Sequence, residues 1–324
     1  MKKTTVVIPN FNGINYLKSC LAALNQETSS VFDIVVVDNG STDGSTWYLK
    51  QQYPQITVIS NQSNLGFCKA VNQGIQASAT PYVLLLNNDT KVLHGFVRSL
   101  EEAIESGNRV FSVAAKMLMM DKPELLDGAG DLYCATGWAF ARGKGKPATK
   151  KRYQKRCRIF SACGGAVLYK KEILEKIGLF DENHFAYLED LDLGYRAAIF
   201  GYKNLYEPKA QVLHVGSGFS GSKYNPFKTG LASTNSVYVV LKNMPLLQII
   251  LNLPFLLVGF AIKAFFFYRK GMGKAYLWGL RKGLLLGLSK EGRKNRVRFR
   301  LKHCGNYVKI QFALWGNLIR RIYE

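Results

Sequence analysis

Over the first ninety residues, short β-branched and aliphatic runs alternate with stretches of helical apolar spacing. Val6-Val7-Ile8, Ile34–Val37, Ile56–Ile59 and Tyr82–Leu86 read as strands, while Tyr16–Leu24, Ser45–Gln52 and Phe67–Ala77 read as helices. This alternation predicts an α/β fold with a mostly parallel sheet and helices on both faces. Ligands of such sheets bind beyond the carboxyl ends of the strands. The segments to inspect are therefore Pro9-Asn10-Phe11-Asn12, Asp38-Asn39-Gly40-Ser41, Asn61–Gly66 and Asn87-Asn88-Asp89.

Further along, residues 92–106, Lys171–Ile177 and Leu188–Phe200 predict helices, and Val110–Met119, Gly164–Tyr169 and Ala210–His214 predict strands. Residues 141–158 carry nine basic side chains and no acid, with Gly143, Gly145 and Pro147, and predict a mobile loop. From about residue 240 the pattern changes. Leu246–Tyr268 is strongly apolar but interrupted by Gln248, Asn252, Pro254 and Lys263; Tyr276–Leu288 is apolar around Arg281-Lys282; Arg293–Lys302 is basic; Tyr307–Tyr323 has amphipathic helical spacing. The expected organisation is an α/β domain over 1–240, in halves 1–120 and 121–240, followed by a helical region over 241–324. A transmembrane helix needs ~20 mostly apolar residues. Leu246–Tyr268 is long enough, but its proline and polar interruptions favour a helix lying in the interface or re-entering it.

Charge sharpens this picture. The 324 residues carry a formal net charge of +22. Residues 1–140 hold 10 basic and 12 acidic side chains, residues 141–240 hold 17 and 8, and residues 241–324 hold 17 and 2. The positive field thus belongs to the tail and one internal stretch, and it calls for an anionic partner. The tail's basic residues interleave with long apolar runs and no nucleic-acid motif is present, so an anionic membrane surface is expected and nucleic acid is not. A hydrophobic content of 48% excludes a disordered chain. The six cysteines form no CxxC pair and fit no zinc spacing. With no visible signal peptide, they predict reduced thiols in the cytosol.

Three carboxylate clusters and one histidine could carry chemistry. Asp38, at a strand end before Asn39-Gly40-Ser41, could accept hydrogen bonds from a base or ribose, or could simply belong to a strand-to-helix turn. Asp89 emerges at the same sheet edge, where Mg²⁺ or Mn²⁺ could bridge it to phosphates. Glu189-Asp190-Leu191-Asp192 opens a predicted helix. Asp192 pairs with Arg196 at i, i+4, leaving Glu189 and Asp190 free to face a cleft, where a carboxylate makes a sensible general base. His214, at the end of the last strand in a stretch running to Ser217-Gly218, is either structural or a metal ligand.

Taken in order, these features resemble the family 2 glycosyltransferases, which have the GT-A fold. Val7-Ile8-Pro9-Asn10-Phe11-Asn12-Gly13 looks like the opening strand and nucleotide loop. Asp38-Asn39-Gly40-Ser41-Thr42-Asp43 resembles the base-binding motif, Asn64-Leu65-Gly66-Phe67 the N-x-G loop, Asn87-Asn88-Asp89 the D-x-D metal motif, and Glu189-Asp190-x-Asp192 the catalytic-base motif. Asp127-Gly128-Ala129-Gly130-Asp131 and the His214 stretch suggest the rhamnosyltransferase-like subgroup. The resemblance implies a nucleotide-binding half over 1–120 and an acceptor half over 121–240. It implies inverting transfer from a nucleotide-diphosphate sugar to a glycan or lipid-linked saccharide in cell-surface polysaccharide assembly, at the cytoplasmic face of the membrane. Asp190 would be the base; Pro9, Asn10, Phe11, Asn12, Asp38, Asn39, Asn64, Gly66, Asn87 and Asn88 would bind the donor; Asp89 and His214 would hold Mn²⁺ or Mg²⁺; Glu189, Gly164 and Gly165 would serve the acceptor side. Asn87 and Asn88 depart from the acidic metal motif. The Q-x-x-R-W motif of processive synthases is absent, which implies addition of one sugar or a few. A sugar nucleotidyltransferase is the alternative, but its Gly-rich basic loop has no counterpart in Pro9-Asn10-Phe11-Asn12-Gly13.

Overall fold

The computed structural model describes residues 2–216 and 224–324; Ser217-Gly218 of the His214 stretch lie outside the described residues. The first half runs β1 (Thr4–Asn10), α1 (Ile14–Asn25), β2 (Phe32–Asp38), α2 (Ser45–Gln52), β3 (Thr57–Ser60), α3 (Phe67–Ala77) and β4 (Tyr82–Leu86). Next come β5 (Thr90–Val92), α4 (Phe96–Ile104), β6 (Val110–Met119), β7 (Leu126–Gly128), β8 (Asp131–Tyr133), β9 (Ala139–Ala141), β10 (Cys157–Ile159), β11 (Ala166–Lys170), α5 (Lys171–Ile177), α6 (Glu189–Ile199) and β12 (Lys203–His214). The tail holds α7 (Pro226–Asn243), α8 (Leu246–Arg269), α9 (Gly273–Leu288), α10 (Lys290–Lys294) and α11 (Cys304–Tyr323).

The main sheet has the order β10-β12-β6-β11-β4-β1-β2-β3, with β5 on β12 and β7 on β6. β1 to β4 are parallel, and so are β6 and β12; β11 runs antiparallel between β4 and β6. Period-2 alternation explains the two helical layers. Val7, Val35, Val37, Val83 and Leu85 face one core with α3, whereas Val6, Ile8, Val36, Leu84 and Leu86 face another with α1 and α4. Gly74 lets α3 lie directly on β1, because a Cβ there would run into Val7.

Two regions differ from their sequence reading. Residues 141–158 are no free loop. Arg142 and Gly145 N–H donate to Gly130 and Leu126 carbonyls, Ala148 N–H to the Glu124 carbonyl, and Tyr153 is buried with its hydroxyl donating to the Glu324 carboxylate at 2.8 Å. Only part of the charge run is therefore solvated. The tail is likewise woven into the fold. α7 runs through residue 240, and a third core joins Tyr133, Phe160, Leu191 and Tyr195 to Val239, Leu256, Tyr307 and Leu314.

Candidate active site

At the carboxyl edge of the sheet, a cavity of about 530 Å³ opens between the nucleotide-side loops and the start of α6. This lies within the range of small-molecule sites. Pro9, Asn10, Phe11, Asn39, Asn64, Asn87, Asn88 and Asp89 line one side. Gly164, Gly165, Glu189, Asp190 and His214 also line it, together with Asp131, Ser161 and Cys163.

Three expected donor residues stand behind the cavity wall instead of lining it. Asp38 is 1% exposed, and its carboxylate accepts from Asn10 Nδ2 at 2.9 Å and Ser41 N–H at 2.9 Å. It fixes Asn10, whose Oδ1 accepts from Asn88 Nδ2 at 2.7 Å, so Asp38 ties together the loops that form the wall. Asn12, at φ 48°, accepts Thr42 N–H and pins the same turn. Gly66, at φ 88°, lets the Phe185 ring close over it; a Cβ would lie 2.6 Å from that ring. Asn39 ties this turn together, donating to Asn64 Oδ1 at 2.9 Å and accepting from Asn61 Nδ2 at 3.0 Å.

Asp89 and His214 are brought together by backbone pairing. β12 runs antiparallel to β5, and Val215 N–H donates to the Asp89 carbonyl at 3.1 Å. His214 Nε2 then lies 3.3 Å from Asp89 Oδ1. Its Nδ1 lies 2.8 Å from Asp127 Oδ2, a partner that sequence reasoning did not assign. Burial alone would lower the imidazole, but hydrogen bonds to Asp127 and Asp89 outweigh it and raise His214 to about 9.

Glu189 and Asp190 sit at the start of α6. Asp190 accepts Leu191 N–H at 2.7 Å and Gly164 N–H at 3.3 Å, which gives Gly164 an orienting role. Gly165 supports the opposite wall through its carbonyl, which accepts Asn87 N–H at 2.9 Å. The turn before α6 is strained: Phe185, Tyr187 and Leu188 have φ of 59°, 71° and 64°. Non-glycine residues persist there only when their surroundings over-determine them. Here Asn235 of α7 donates through Nδ2 to the His184, Ala186 and Tyr187 carbonyls at 2.9, 2.9 and 2.7 Å.

Burial pushes the Glu189 carboxyl up to about 8, with the charge of Asp190 adding to it. Burial also raises Asp190, against its backbone N–H donors. Asp131 is the functional candidate that sequence reasoning missed. One oxygen each of Asp131 and Asp190 and the Cys163 sulfur lie within 4.8 Å of one another. Burial and the charge of Asp190 raise Asp131 well above the ordinary carboxylate range. The Cys163 thiol is likewise raised, by burial and then by the charges of Asp131 and Asp190. Asp131 had a signal in the sequence, as the second carboxylate of Asp127-Gly128-Ala129-Gly130-Asp131, but nothing there placed it beside Asp190.

A doubly covered sheet with a polar cleft beyond the carboxyl ends of its strands is the setting in which open α/β folds bind their ligands. The sequence model of glycosyl transferase family 2 matches residues 5–178, and the chain belongs to that family. It is a glycosyltransferase that uses a nucleotide-sugar donor. It is similar to the N-acetylglucosaminyl-diphospho-decaprenol L-rhamnosyltransferase of Mycobacterium tuberculosis, 26% identical over 261 residues, covering 73% of this chain and 83% of that one. Among solved structures it resembles GalNAc-T7 with UDP, GalNAc and Mn²⁺ (TM-score 0.60, 19% identity, 75% of this chain and 48% of that one). It also resembles the mannosyltransferase PcManGT of Pyrobaculum calidifontis with GDP-Man and Mn²⁺ (TM-score 0.52, 16% identity, 96% and 84%). These likenesses establish the GT-A fold.

Proposed function

We propose that this glycosyltransferase adds a single sugar, with inversion, from a nucleotide-diphosphate sugar to a lipid-linked or glycan acceptor in cell-surface polysaccharide assembly. The observation that carries the reading is one cleft holding both an oriented carboxylate, Asp190, and the Asp89–His214 pair on its metal side. Asp190 takes the proton of the acceptor hydroxyl as that oxygen bonds to the anomeric carbon. The bond from that carbon to the diphosphate breaks on the opposite face, which inverts the centre. Pro9, Asn10, Phe11, Asn39, Asn64, Asn87 and Asn88 form the donor wall, with Asp38, Asn12 and Gly66 shaping it. Glu189 and Gly165, both on the cleft lining, serve the acceptor side.

The donor set on the metal side fits a divalent cation. Neighbouring ligands of an octahedral ion at ~2.1 Å lie ~3 Å apart, close to the 3.3 Å between Asp89 Oδ1 and His214 Nε2. The Asp89 carboxylate suits Mn²⁺ and Mg²⁺ alike. When bound, the ion supplies Lewis-acid stabilisation of charge on the departing nucleotide. The mycobacterial relative's name supports a 6-deoxyhexose donor and a lipid-diphosphate acceptor for this chain too.

The tail supports peripheral docking at the cytoplasmic face. α8 is long and apolar enough to cross a membrane by length and composition. However, Gln248 and Asn252 face inward, where Gln248 accepts from Tyr195 OH and Asn252 pairs with Gln311. Leu247, Ile250, Leu257, Val258 and Phe265 point out and are exposed, flanked by basic side chains that attract anionic lipid.

The first test is a thermal-shift screen of the full chain against UDP-, GDP- and dTDP-linked sugars with Mn²⁺. A donor at ~100 times its dissociation constant should stabilise by ~2.7 kcal/mol, and the product's anomeric configuration should be inverted by NMR. A screen in which no nucleotide sugar shifts the melt or turns over refutes the donor reading. Docking is tested by sedimentation with anionic and neutral vesicles: the full chain should pellet with anionic ones, and Leu247→Glu/Val258→Glu should stay in solution. A full chain that ignores both vesicle types ends the membrane reading.

A further inference from the structure

His214 is held at both ring nitrogens. Nε2 faces Asp89 Oδ1 at 3.3 Å, and Nδ1 faces Asp127 Oδ2 at 2.8 Å. Asp127 is itself anchored: Lys144 Nζ donates to its other oxygen at 2.6 Å. The arrangement is built by the fold. β7 carries Asp127 beside the end of β6, β12 carries His214 on the other side of β6, and Met120 N–H donates to the His214 carbonyl at 2.9 Å. Both His214 and Asp127 side chains are 12% exposed, so water competes little for their contact.

We propose that Asp127 is the positioning residue of the cation site, holding the Nδ1–H of His214 so that Nε2 is presented beside Asp89. This rests on the reading of Asp89 and His214 as the metal ligands. A ligating imidazole must be neutral, with its proton on the nitrogen away from the ion. A carboxylate at that nitrogen fixes the tautomer, stops the ring from turning, and raises the basicity of the ligating nitrogen. Asp127 meets that geometry. It gives the first acid of Asp127-Gly128-Ala129-Gly130-Asp131 a role that its place in the sequence does not reveal. It also links the basic segment to the cation site through Lys144.

A purely structural ion pair makes a different prediction, and Mn²⁺ binding separates the two. The probe is Mn²⁺ alone, titrated into the full chain, with free ion read by EPR. Asp127→Ala should weaken binding by about 10–100-fold, the usual worth of such outer partners. Asp127→Asn keeps an acceptor for Nδ1–H but loses the charge, so its loss should be smaller. It is also nearly isosteric and keeps the test alive where the alanine variant does not fold. Lys144→Ala leaves the Asp127–His214 bond intact and should stay near wild type. The ¹⁵N shifts of His214 should show Nδ1 protonated in Mg²⁺-loaded wild type and a tautomer mixture in Asp127→Asn. A folded Asp127→Ala protein that melts lower yet binds Mn²⁺ within about twofold of wild type overturns the proposal, since outer partners that position a ligand cost more than this. A wild-type chain that leaves all Mn²⁺ free overturns the metal reading itself, and this inference with it.

Discussion

Replacing Lys242 with methionine removes one buried ammonium and leaves two buried carboxylates behind. Lys242 Nζ lies 2.7 Å from Asp181 Oδ2 and 2.8 Å from Asp192 Oδ2, and the three side chains are 3%, 4% and 0% exposed. Some partners would remain. Asp192 keeps Arg196 Nε at 3.0 Å and Asn243 Nδ2 at 2.8 Å, while Asp181 keeps Tyr238 OH and Asn295 Nδ2, both at 2.8 Å. Breaking a buried pair from one side costs about 3–5 kcal/mol; the surviving donors place this case near the lower end. At ~2 cal/mol/K of unfolding entropy per residue, ~3 kcal/mol corresponds to a melting temperature about 4–6 °C lower. The pH dependence follows from both carboxyls lying below their ordinary range in the folded chain. Burial alone would raise them, and Lys242 is the leading charge that outweighs it in each, with Arg196 adding at Asp192. Their stabilisation is present above the unfolded value near 4 and is lost as pH falls below it. The gap between wild type and Lys242→Met should therefore be full at pH 7.5 and should narrow in acid. Thermal scans at several pH values measure this, and a cycle with Asp181→Asn isolates the pair. A Lys242→Met chain melting within about 1 °C of wild type at pH 7.5 would refute the reasoning, because a broken buried pair costs more than that.

Asp190→Asn should keep nucleotide-sugar binding while turnover falls by roughly 10²–10⁴; near-normal turnover in the folded variant removes Asp190 as the base. On this mechanism Asp190 must be ionised to take the proton, so the rate should rise with pH through its raised value in a pH–rate profile, and a profile flat on the acid side would count against the base assignment. Glu189 is raised to about 8 when folded, so its contribution to stability is complete below the unfolded value and is lost as pH climbs towards 8; Glu189→Gln should flatten the decline of melting temperature across that window. Asn235→Ala frees the strained turn before α6 and should lower kcat more than it raises KM, with steady-state kinetics as the check.

The α/β half was legible because its burial is regular. Alternating residues in β1, β2 and β4 serve two different cores, and the strands therefore read as unbroken apolar runs. Ser45–Gln52, Phe67–Ala77, Tyr82–Leu86, Val110–Met119 and Lys171–Ile177 coincide with their sequence readings. The short strands β5, β7, β8, β9 and β10 were not legible, since each has three residues and owes its pairing to distant partners. The site divides in the same way. Asp190 and Asp89 follow strand or helix boundaries visible in the sequence. Asp127 and Asp131 act only through β7 and β8, and Asn235 acts from a helix 45 residues beyond Asp190. Asp38 was legible as a residue of the site but not in its orientation, which hydrogen bonds to Asn10 and Ser41 decide.

The tail shows how one sequence feature can carry two meanings. Gln248 and Asn252 interrupt an apolar run, and from sequence they argue against a membrane span. In the fold they form, with Leu256 and Gly259, the inward stripe of α8, spaced at i, i+4, i+8 and i+11. That stripe extends over ~16 Å of helix and rests on Tyr195, Gln311 and the Trp138 loop, where Gly259 accepts the indole N–H at 3.0 Å. To enter a bilayer fully, α8 would have to break those bonds and bare two amides to hydrocarbon, which is unfavourable by several kcal/mol. Lying flat, it keeps them all and offers lipid only its outer face. The same close packing recurs beneath it. Gly279, Gly283 and Gly287 bring α9 so near α7 that a Cβ at any of them would strike Ser233, Thr234 or Leu241. α7 in turn carries Asn235 to the strained turn before α6 and Lys242 to α6 itself. The surface proposed to meet the membrane is thereby joined, through two helices, to the element that orients Asp190.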